Sequence, residues 1–271
     1  MQRKDSIDIV AEIGWNHMGD MSLAKEMVAE AAACGADIVK FQTWSVNRLK
    51  PGPWDTDGRR EIYLKAQLSE QDHFELLNYC ERLGVQFMTS VFDITDIPLV
   101  KSVSQKYIKI PSTECANIKL LDTVNGNFDN VLISTGAASW EEIKAIKKRI
   151  NKSTVTLLHC VSSYPCLPEN INLPRIKELF SLTPNVGYSG HLQGVDDAIA
   201  AIAFGCNVIE KHFTINNDLP GRDNKFALLP SELKKICDFR DTFLLMNLNQ
   251  GLDMQPIEAE AKELYRGRWS G

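Results

Sequence analysis

The chain has 271 residues, with 30 Lys and Arg against 35 Asp and Glu and a formal net charge of -5. That length suits one large domain whose core needs neither disulfides nor a structural metal. The charge excludes the global basic surface that binds nucleic acid or anionic membranes, and no apolar stretch approaches the roughly 18 residues of a membrane span. The 7 cysteines form no CxxC pair, and their odd number favours a reducing compartment. We therefore predict a cytoplasmic protein with neither nucleic-acid nor membrane partners.

In chain order, the apolar pattern predicts strands and helices in alternation. Runs rich in Val and Ile predict eight strands, at residues 7–14, 37–43, 85–92, 107–113, 130–136, 154–160, 185–189 and 208–214. Helical spacing of apolar residues predicts helices at residues 22–34, 70–83, 97–104, 118–124, 140–150, 173–182, 195–204 and 232–248. Ser69 and Ser139 are predicted N-caps, and Gly35, Gly84 and Gly205 follow predicted helix ends.

This repeat of strand, helix and glycine is typical of βα units. A doubly wound open sheet would show the same alternation. Chemically capable residues at nearly every strand end favour closure into a (β/α)8 TIM barrel, because that α/β fold builds its active site at the C-terminal ends of its strands. We predict one such barrel over residues 1–248.

Two segments lie outside the repeat. Residues 44–68, which contain Pro51, Gly52 and Pro53, form a connection long enough to predict a functional lid or a disordered loop. Residues 249–271 form a charged tail or a short helix. That helix could pack on the barrel exterior, although a solvated terminal helix is the favoured interpretation.

Two histidines lie at adjacent predicted strand ends, His191 on the seventh and His212 on the eighth. Two imidazoles so placed could chelate one divalent cation and leave positions for water and substrate. Hydrogen-bonded structural histidines are the equally open alternative. Of the others, His17 could reach the same end, whereas His73 falls in a helix and His159 inside a strand.

Two lysines, Lys40 and Lys109, fall within apolar strands. A buried ammonium costs free energy unless it meets an anion, so the pair suggests a phosphate or carboxylate ligand. A Schiff-base lysine is the competing interpretation, because burial lowers the amine pKa. Ammonium groups that reach past the strand to solvent are the third.

Other polar side chains at the strand ends could complete a binding site. Residues two apart on a strand face the same way, which pairs Lys40 with Gln42 and Glu210 with His212. The hydroxyl groups are Ser90, Ser112, Ser134, Ser162, Ser189 and Tyr164, and the acids are Glu12, Glu114 and Asp223. Each serine is weak evidence alone, because serine is an ordinary turn residue. For Asp223, a surface salt bridge is the alternative interpretation.

The ordered set of strand-end motifs resembles the sialic acid synthase (N-acetylneuraminate synthase) family over nearly the whole chain. The matching stretches are residues 11–19, 35–43, 107–110, 134–136, 158–165 and 209–214. The resemblance implies a barrel enzyme that condenses phosphoenolpyruvate with an N-acetylated amino sugar in its aldehyde form.

The resemblance also implies roles for single residues. It places a divalent ion, manganese or magnesium, on His191 and His212. It places phosphoenolpyruvate on Lys40, Lys109, Ser90, Ser112, Ser134, Ser162 and Ser189, and the sugar on Glu12, Gln42, Tyr164 and Asp223. Glu114 matches an acid beside the reacting centre, and we expect the catalytic residues to be Glu114, Glu12 and Lys109.

The chain departs from the family pattern in several places. Gly190 stands where an aspartate commonly precedes the metal-ligating histidine. Pro111 and Thr113, rather than glycines, flank Ser112, and Arg222 stands where the family has proline. The chain stops at Gly271, and we expect no C-terminal antifreeze-like domain, which in the family lends an arginine to the partner's sugar site. Four basic residues of the 44–68 loop could replace that arginine, namely Arg48, Lys50, Arg59 and Arg60.

The predicted function is metal-dependent condensation of phosphoenolpyruvate with an amino-sugar aldehyde to give a sialic acid or related 2-keto-3-deoxy sugar acid and phosphate. A homodimer is the candidate assembly. A class I aldolase that uses Lys40 or Lys109 is one alternative, and a non-catalytic sugar-phosphate-binding subunit is the other. In the last strand, parity assigns His212 and Glu210 to the inner face and Lys211 to the face toward the helices.

Overall fold

The protein is described by a computed structural model covering residues 6–269, whose core is a closed barrel of parallel strands in sequence order. The strands are β1 Asp8–Gly14, β2 Ile38–Thr43, β3 Gln86–Val91, β4 Tyr107–Ile110, β5 Asn130–Ser134, β6 Thr154–Cys160, β7 Val186–Gly190 and β8 Val208–His212. β8 pairs with β1 and closes the barrel. The predicted TIM barrel is therefore confirmed.

Helices connect the strands and cover the barrel. Within residues 6–269 they are α1 Met21–Ala33, α2 Arg59–Ala66, α3 Glu70–Leu83, α4 Ile97–Val103, α5 Ile118–Val124, α6 Trp140–Arg149, α7 Arg175–Leu179, α8 Asp196–Ala203, α9 Pro230–Met246 and α10 Ala259–Tyr265. Ser69 and Ser139 are N-caps, as the sequence predicted, and they form capping boxes with Asp72 and Glu142. Gly84 ends α3 at φ 75°, a left-handed conformation that suits glycine.

The barrel lumen is filled by side chains that alternate along each strand. A floor layer of Val10, Ile38, Met88, Leu132, Leu158 and Val208 forms a separate apolar cluster, with Tyr107 packed against it. Two residues further along the strands lies the site layer of Glu12, Lys40, Ser90, Lys109, Ser134, Cys160, Ser189 and Glu210. Because side-chain direction repeats every two residues along a strand, both layers face inward. The site layer lies nearer the C-terminal ends of the strands.

Both segments outside the repeat contain helices. Residues 44–68 hold two 3-10 turns and α2, so this connection is structured and not a disordered loop. Trp44 donates to the carbonyl oxygen of Tyr63 at 3.1 Å, and its ring meets the Phe92 ring edge-on, which anchors the segment to the barrel. In the tail, α10 is a fully exposed helix. None of the helices between residues 6 and 269 is long and apolar enough to cross a membrane.

Candidate active site

One cavity opens at the C-terminal end of the barrel, above the floor layer. Its walls are the site layer together with side chains further up the strands and loops. The lining residues are Glu12, Lys40, Gln42, Ser90, Lys109, Pro111, Ser112, Ser134, Cys160, Tyr164, Ser189, His191, Glu210 and His212. The barrel thus brings together residues that lie up to two hundred positions apart in the chain.

Two buried acids and two buried lysines form a network across this cavity. Lys40 Nζ lies 2.6 Å from Glu12 Oε2 and 3.8 Å from Glu210 Oε2. Lys109 Nζ donates to both oxygens of Glu210, at 2.6 and 2.9 Å. Gln42 donates to Glu12 Oε1 at 2.6 Å. The formal charges of the four ionised groups cancel, which makes their burial tolerable.

The network divides the two acids chemically. Burial opposes the ionisation of Glu210, but Lys109 and Lys40 outweigh it and lower its pKa to about 2. Burial raises the pKa of Glu12, and the negative charge of Glu210 adds to that effect against the attraction of Lys40. For Lys40, the two carboxylates outweigh burial and raise the pKa, so it remains an ammonium. Glu12 is therefore the acid more easily protonated when an anion enters.

Several serine hydroxyls point at the same space. Ser90 Oγ and Ser134 Oγ are buried and have no hydrogen-bond partner among the described residues. Ser112 Oγ accepts from the Gly136 amide at 3.1 Å. Gly136 permits this close approach, because a Cβ there would overlap the Oγ atoms of Ser112 and Ser162. Unpaired buried hydroxyls beside two ammonium groups can donate to a phosphate or carboxylate.

The two strand-end histidines face each other at the cavity mouth, with ring centroids 5.5 Å apart. His191 Nδ1 lies 2.9 Å from the carbonyl oxygen of Val161. A carbonyl only accepts, so this nitrogen carries the proton and Nε2 presents its lone pair. Burial lowers the pKa of both imidazoles to about 3, and neutral imidazole is the form that binds metals.

The donor set fits a metal ion only with help from other ligands. Among residues 6–269 there is no group of three or more His, Cys, Asp and Glu that could hold an ion by itself. The oxygens of Glu210 already accept from Lys109 and Ser189. His212 Nδ1 is buried, has no hydrogen-bond partner in the described chain and lies 3.8 Å from Asp223 Oδ2. Two neutral imidazoles therefore suit an ion whose remaining positions go to water and substrate.

Aromatic groups wall the mouth. The Tyr164 ring lies 4.0 Å from the His191 ring and the Phe226 ring 5.1 Å from the His212 ring, centroid to centroid. Arg222 lies over Tyr164, with its guanidinium carbon 5.4 Å from the ring centroid. These rings restrict where the imidazoles can turn and shield them from bulk water.

Most of the predicted site residues line the cavity, but three do not. Glu114 lies in the 3-10 turn after β4, which ends at Ile110, and its Oε2 accepts from Asn117 at the start of α5, 2.9 Å away. Ser162 is exposed beside Gly136. Asp223 lies one layer behind the wall and accepts from Trp15 Nε1 at 2.7 Å.

The loop arginines also lie elsewhere. Arg48 pairs with Asp96 outside the segment, whereas Arg59 pairs with Asp57 and Arg60 with Asp55 within it, so acids neutralise all three. Lys50 is exposed. To close over the sugar, each of these arginines would have to give up its carboxylate partner.

The remaining histidines are structural. His17 does not line the cavity, since its ring packs on Phe41 and its Nδ1 accepts from the Gly19 amide at 3.1 Å. His73 bonds Thr43 at 2.8 Å, and His159 bonds the Ile171 carbonyl at 2.7 Å.

Sequence reasoning missed two lining residues, Cys160 and Pro111, and placed Glu210 on the inner face without including it in the site. Strand parity could have identified Cys160, because it follows Leu158, whose side chain faces the lumen, by two positions on β6. Parity correctly turned Lys211 away from the cavity: its Nζ pairs with Asp197 at 2.9 Å behind the sheet.

Taken together, the fold and the site define a TIM-barrel enzyme that acts on an anionic substrate, with the anion donors on one side of the mouth and two neutral imidazoles on the other.

The NeuB family model matches residues 27–246, and the chain belongs to that family. The predicted resemblance is thereby confirmed, as is the prediction that the chain is an enzyme, a phosphoenolpyruvate-dependent synthase of the sialic acid type.

Relatives from several organisms support this assignment. The chain is 34% identical over 248 residues to N,N'-diacetyllegionaminic acid synthase of Campylobacter jejuni, covering 84% of this chain and 74% of that one. It is 32% identical over 261 residues to N-acetylneuraminate-9-phosphate synthase of Drosophila melanogaster, covering 90% and 70%. Among solved structures, the sialic acid synthetase of Leptospira borgpetersenii, in complex with citrate, superposes with a TM-score of 0.88 at 30% identity and covers 97% of this chain and 92% of that one.

Proposed function

We propose that this enzyme catalyses a metal-dependent condensation of phosphoenolpyruvate with the aldehyde form of an amino sugar, giving a 2-keto-3-deoxy sugar acid and inorganic phosphate. One observation carries the proposal: unpaired serine hydroxyls and two lysines lie in the same cavity as two neutral imidazoles. A reaction that joins a doubly anionic enol phosphate to a carbonyl needs both elements, one to hold the anion and one to polarise the oxygen.

The lysine side of the cavity would hold phosphoenolpyruvate. Lys40, Lys109, Ser90 and Ser134 converge there, and Ser112 and Ser189 extend the hydroxyl set. Because Glu12 and Glu210 already neutralise the lysines, the substrate charge must be balanced by hydroxyl and amide donors, by a bound cation or by protonation of Glu12.

The sugar would lie at the mouth, against Glu12, Gln42 and Tyr164, with Asp223 behind His212. His191 and His212 would hold the divalent ion, manganese or magnesium, which as a Lewis acid would polarise the aldehyde oxygen. The imidazoles are ready for this because they are neutral and one tautomer is fixed by Val161. The aromatic wall would exclude bulk water from the reacting pair.

In the reaction, C3 of phosphoenolpyruvate bonds to the aldehyde carbon, and the aldehyde oxygen becomes a hydroxyl by taking one proton. Water adds to C2 and releases a proton. The tetrahedral centre then breaks its C–O bond and frees phosphate, leaving the 2-keto acid. Glu12 is placed to hold or move a proton at this point, because its pKa is raised and its Oε1 accepts from Gln42. Lys109 would hold the phosphate as it departs.

The direct experiment is phosphate release from phosphoenolpyruvate with a panel of acceptors. The panel contains N-acetylmannosamine, a diacetamido hexose and a phosphorylated N-acetylmannosamine, each with and without manganese, magnesium and a chelator. We expect release only when phosphoenolpyruvate, one acceptor and a divalent ion are all present. Equal turnover in the chelated protein would overturn the metal dependence, and release without an acceptor would overturn the condensation.

The Schiff-base aldolase is the weaker candidate. It needs a neutral amine, whereas the pKa of Lys40 is raised. Burial lowers the pKa of Lys109, but this ammonium donates to both oxygens of Glu210, which holds it in the charged form. Borohydride treatment with pyruvate should therefore leave the protein mass unchanged, and an adduct on either lysine would revive the aldolase.

We also propose a cytoplasmic homodimer. Light scattering on the purified chain measures its mass directly, and fractionation of expressing cells tests the location.

A further inference from the structure

A second buried ion pair lies behind the wall of the cavity, on the outer face of β7 and β8. Lys211 Nζ donates to both carboxylate oxygens of Asp197, at 2.9 and 3.0 Å. Tyr188 Oη donates to Asp197 Oδ2 at 2.9 Å, and the Ala198 amide donates to Oδ1 at 2.9 Å. Both members of the pair are almost completely buried, with side-chain exposures of 3% for Lys211 and 0% for Asp197.

This pair connects the two histidine strands. Lys211 immediately precedes His212, and its ammonium also donates to the carbonyl oxygen of Leu192, the residue after His191, at 2.6 Å. Asp197 comes from the first turn of α8, where a helix favours an acid. One ammonium thus holds the backbone next to His191, the backbone next to His212 and the helix that packs over both.

Gly190 leaves the space that this arrangement needs. It pairs with Lys211 across the β7–β8 ladder, and a Cβ built on it would overlap Asp197 Oδ2 and the Tyr188 ring. The family pattern commonly has an aspartate at the position of Gly190. In this chain the carboxylate of Asp197 reaches the same place from α8.

We propose that Asp197 is a positioning residue: through Lys211 it fixes the separation of His191 and His212, and Gly190 is the glycine that admits its carboxylate beside the β7–β8 ladder. The inference rests on the proposed function, in which the two imidazoles share one ion. Because no third His, Cys, Asp or Glu of residues 6–269 joins the two imidazoles in a metal-binding group, the relative placement of the strands sets the ligand separation.

The test compares four variants with the wild type. Asp197→Asn removes the charge and keeps the shape, and Gly190→Ala crowds the carboxylate while leaving both charges in place. The double variant Asp197→Leu with Lys211→Met replaces the pair by apolar groups, an exchange that often restores stability. Arg240→Met is the control, because Arg240 forms a less buried ion pair with Asp37, whose side chain is 39% exposed, at the opposite end of the barrel.

Two readouts separate positioning from stability. Long-range 1H–15N spectra of the metal-free protein report the tautomer and environment of each imidazole, and Mn2+ titration followed by electron paramagnetic resonance gives the dissociation constant. We expect Asp197→Asn and Gly190→Ala to shift the His191 and His212 signals and to weaken Mn2+ binding about 10-fold or more. The double variant should recover most of the melting temperature that Asp197→Asn loses. Its imidazole signals should remain shifted and its Mn2+ binding should remain weak.

The proposal is overturned if the double variant recovers both stability and the wild-type imidazole signals, or if Arg240→Met shifts those signals equally. Should the wild type bind no Mn2+ and release no phosphate, the proposed function fails. The imidazole spectra of the metal-free protein would still decide whether Asp197 positions the two rings.

Discussion

The floor layer and the site layer of the barrel lumen occupy the same strands, two residues apart, yet they differ completely in chemistry. Val10, Ile38 and Leu132 fill the floor, whereas Glu12, Lys40 and Ser134 stand directly above them. Burying the floor side chains stabilises the fold by roughly 1.5–3 kcal/mol each. Burying the charges above them costs free energy that the lysine–carboxylate contacts only offset. The barrel therefore separates stability and chemistry by one step of strand periodicity, and substitutions in the two layers should have different consequences.

The largest effect should come from His212→Ala at the mouth. We expect kcat/KM for condensation to fall by about 1000-fold or more, because the variant removes half of the proposed ion site while the floor stays intact. Steady-state phosphate release measures this, with His73→Gln as a control that removes a buried imidazole outside the cavity. Activity within about 10-fold of the wild type would argue against a role for this imidazole in the reaction.

Lys109→Met in the site layer should lower kcat/KM for phosphoenolpyruvate by about 100-fold or more and also destabilise the fold, since Glu210 loses its closest cation. The companion variant Lys109→Met with Glu210→Gln removes both charges. We expect it to regain stability in urea unfolding without regaining activity. Recovery of both properties would mean that Lys109 serves the fold alone.

Leu132→Ala in the floor should show the opposite pattern. Removing this buried side chain beneath the site should cost about 2–5 kcal/mol of unfolding free energy. The KM for phosphoenolpyruvate of the folded fraction should remain within about 2-fold of the wild type, because the anion donors lie a layer above. Urea unfolding and kinetics below the melting temperature measure the two quantities, and a large rise in KM would show that the layers are not separable.

Ser134→Ala, two residues along the same strand, is the matched partner of that variant. We expect almost unchanged stability, since the hydroxyl has no hydrogen-bond partner among the described residues. The KM for phosphoenolpyruvate should rise by about 10-fold, equivalent to about 1.4 kcal/mol. Isothermal titration with phosphoenolpyruvate provides an independent measurement, and equal affinity in both proteins would remove Ser134 from the proposed anion site.

The smallest effect for each side chain should be acid destabilisation. Burial lowers the pKa of His191 and His212 to about 3 and that of His17 to about 4, below the usual value of 6.5. Between these values the unfolded chain binds more protons than the folded one, so stability is complete above about pH 6.5 and falls as the pH decreases toward the folded pKa values. Each imidazole should cost about 1 kcal/mol between pH 6.5 and 5.5.

Urea unfolding of the metal-free protein at several pH values tests this sign. The slope should be shallower in His212→Ala than in the wild type, because one of the buried imidazoles is gone. An equal slope in the two proteins would show that His212 titrates normally in the folded state.

The sequence predicted much of the difference between the two layers, because the alternation of side chains along a strand depends only on neighbouring residues. Apolar runs placed all eight strands, and counting by two put Lys40 beside Gln42, His212 beside Glu210 and Lys211 on the opposite face. The same count distinguishes the floor layer from the site layer, because each site-layer residue comes two residues after an apolar residue of the same strand. Caps such as Ser69 were predictable for the same reason, because a capping box spans only four residues.

The contacts of some residues beyond the strand ends were not predictable in this way. Glu114 follows β4, and nothing local indicated that a 3-10 turn would bring its carboxylate within hydrogen-bond distance of Asn117. The 44–68 segment contained helix α2, whose pattern was too short and too polar to detect. Where no periodicity constrains the backbone, side-chain direction depends on contacts with distant parts of the chain.

The sequence by itself determined the order of strands and helices, the inward or outward face of each strand residue and the chemical types at the mouth, because these follow from backbone geometry over a few residues. Only the tertiary structure decided which groups meet. Glu210 contacts Lys109 across the barrel although 101 positions separate them, and Asp197 meets Lys211 through the packing of α8 on β8. Such contacts are set by barrel closure and by the cost of burying an unpaired charge, which no local pattern records.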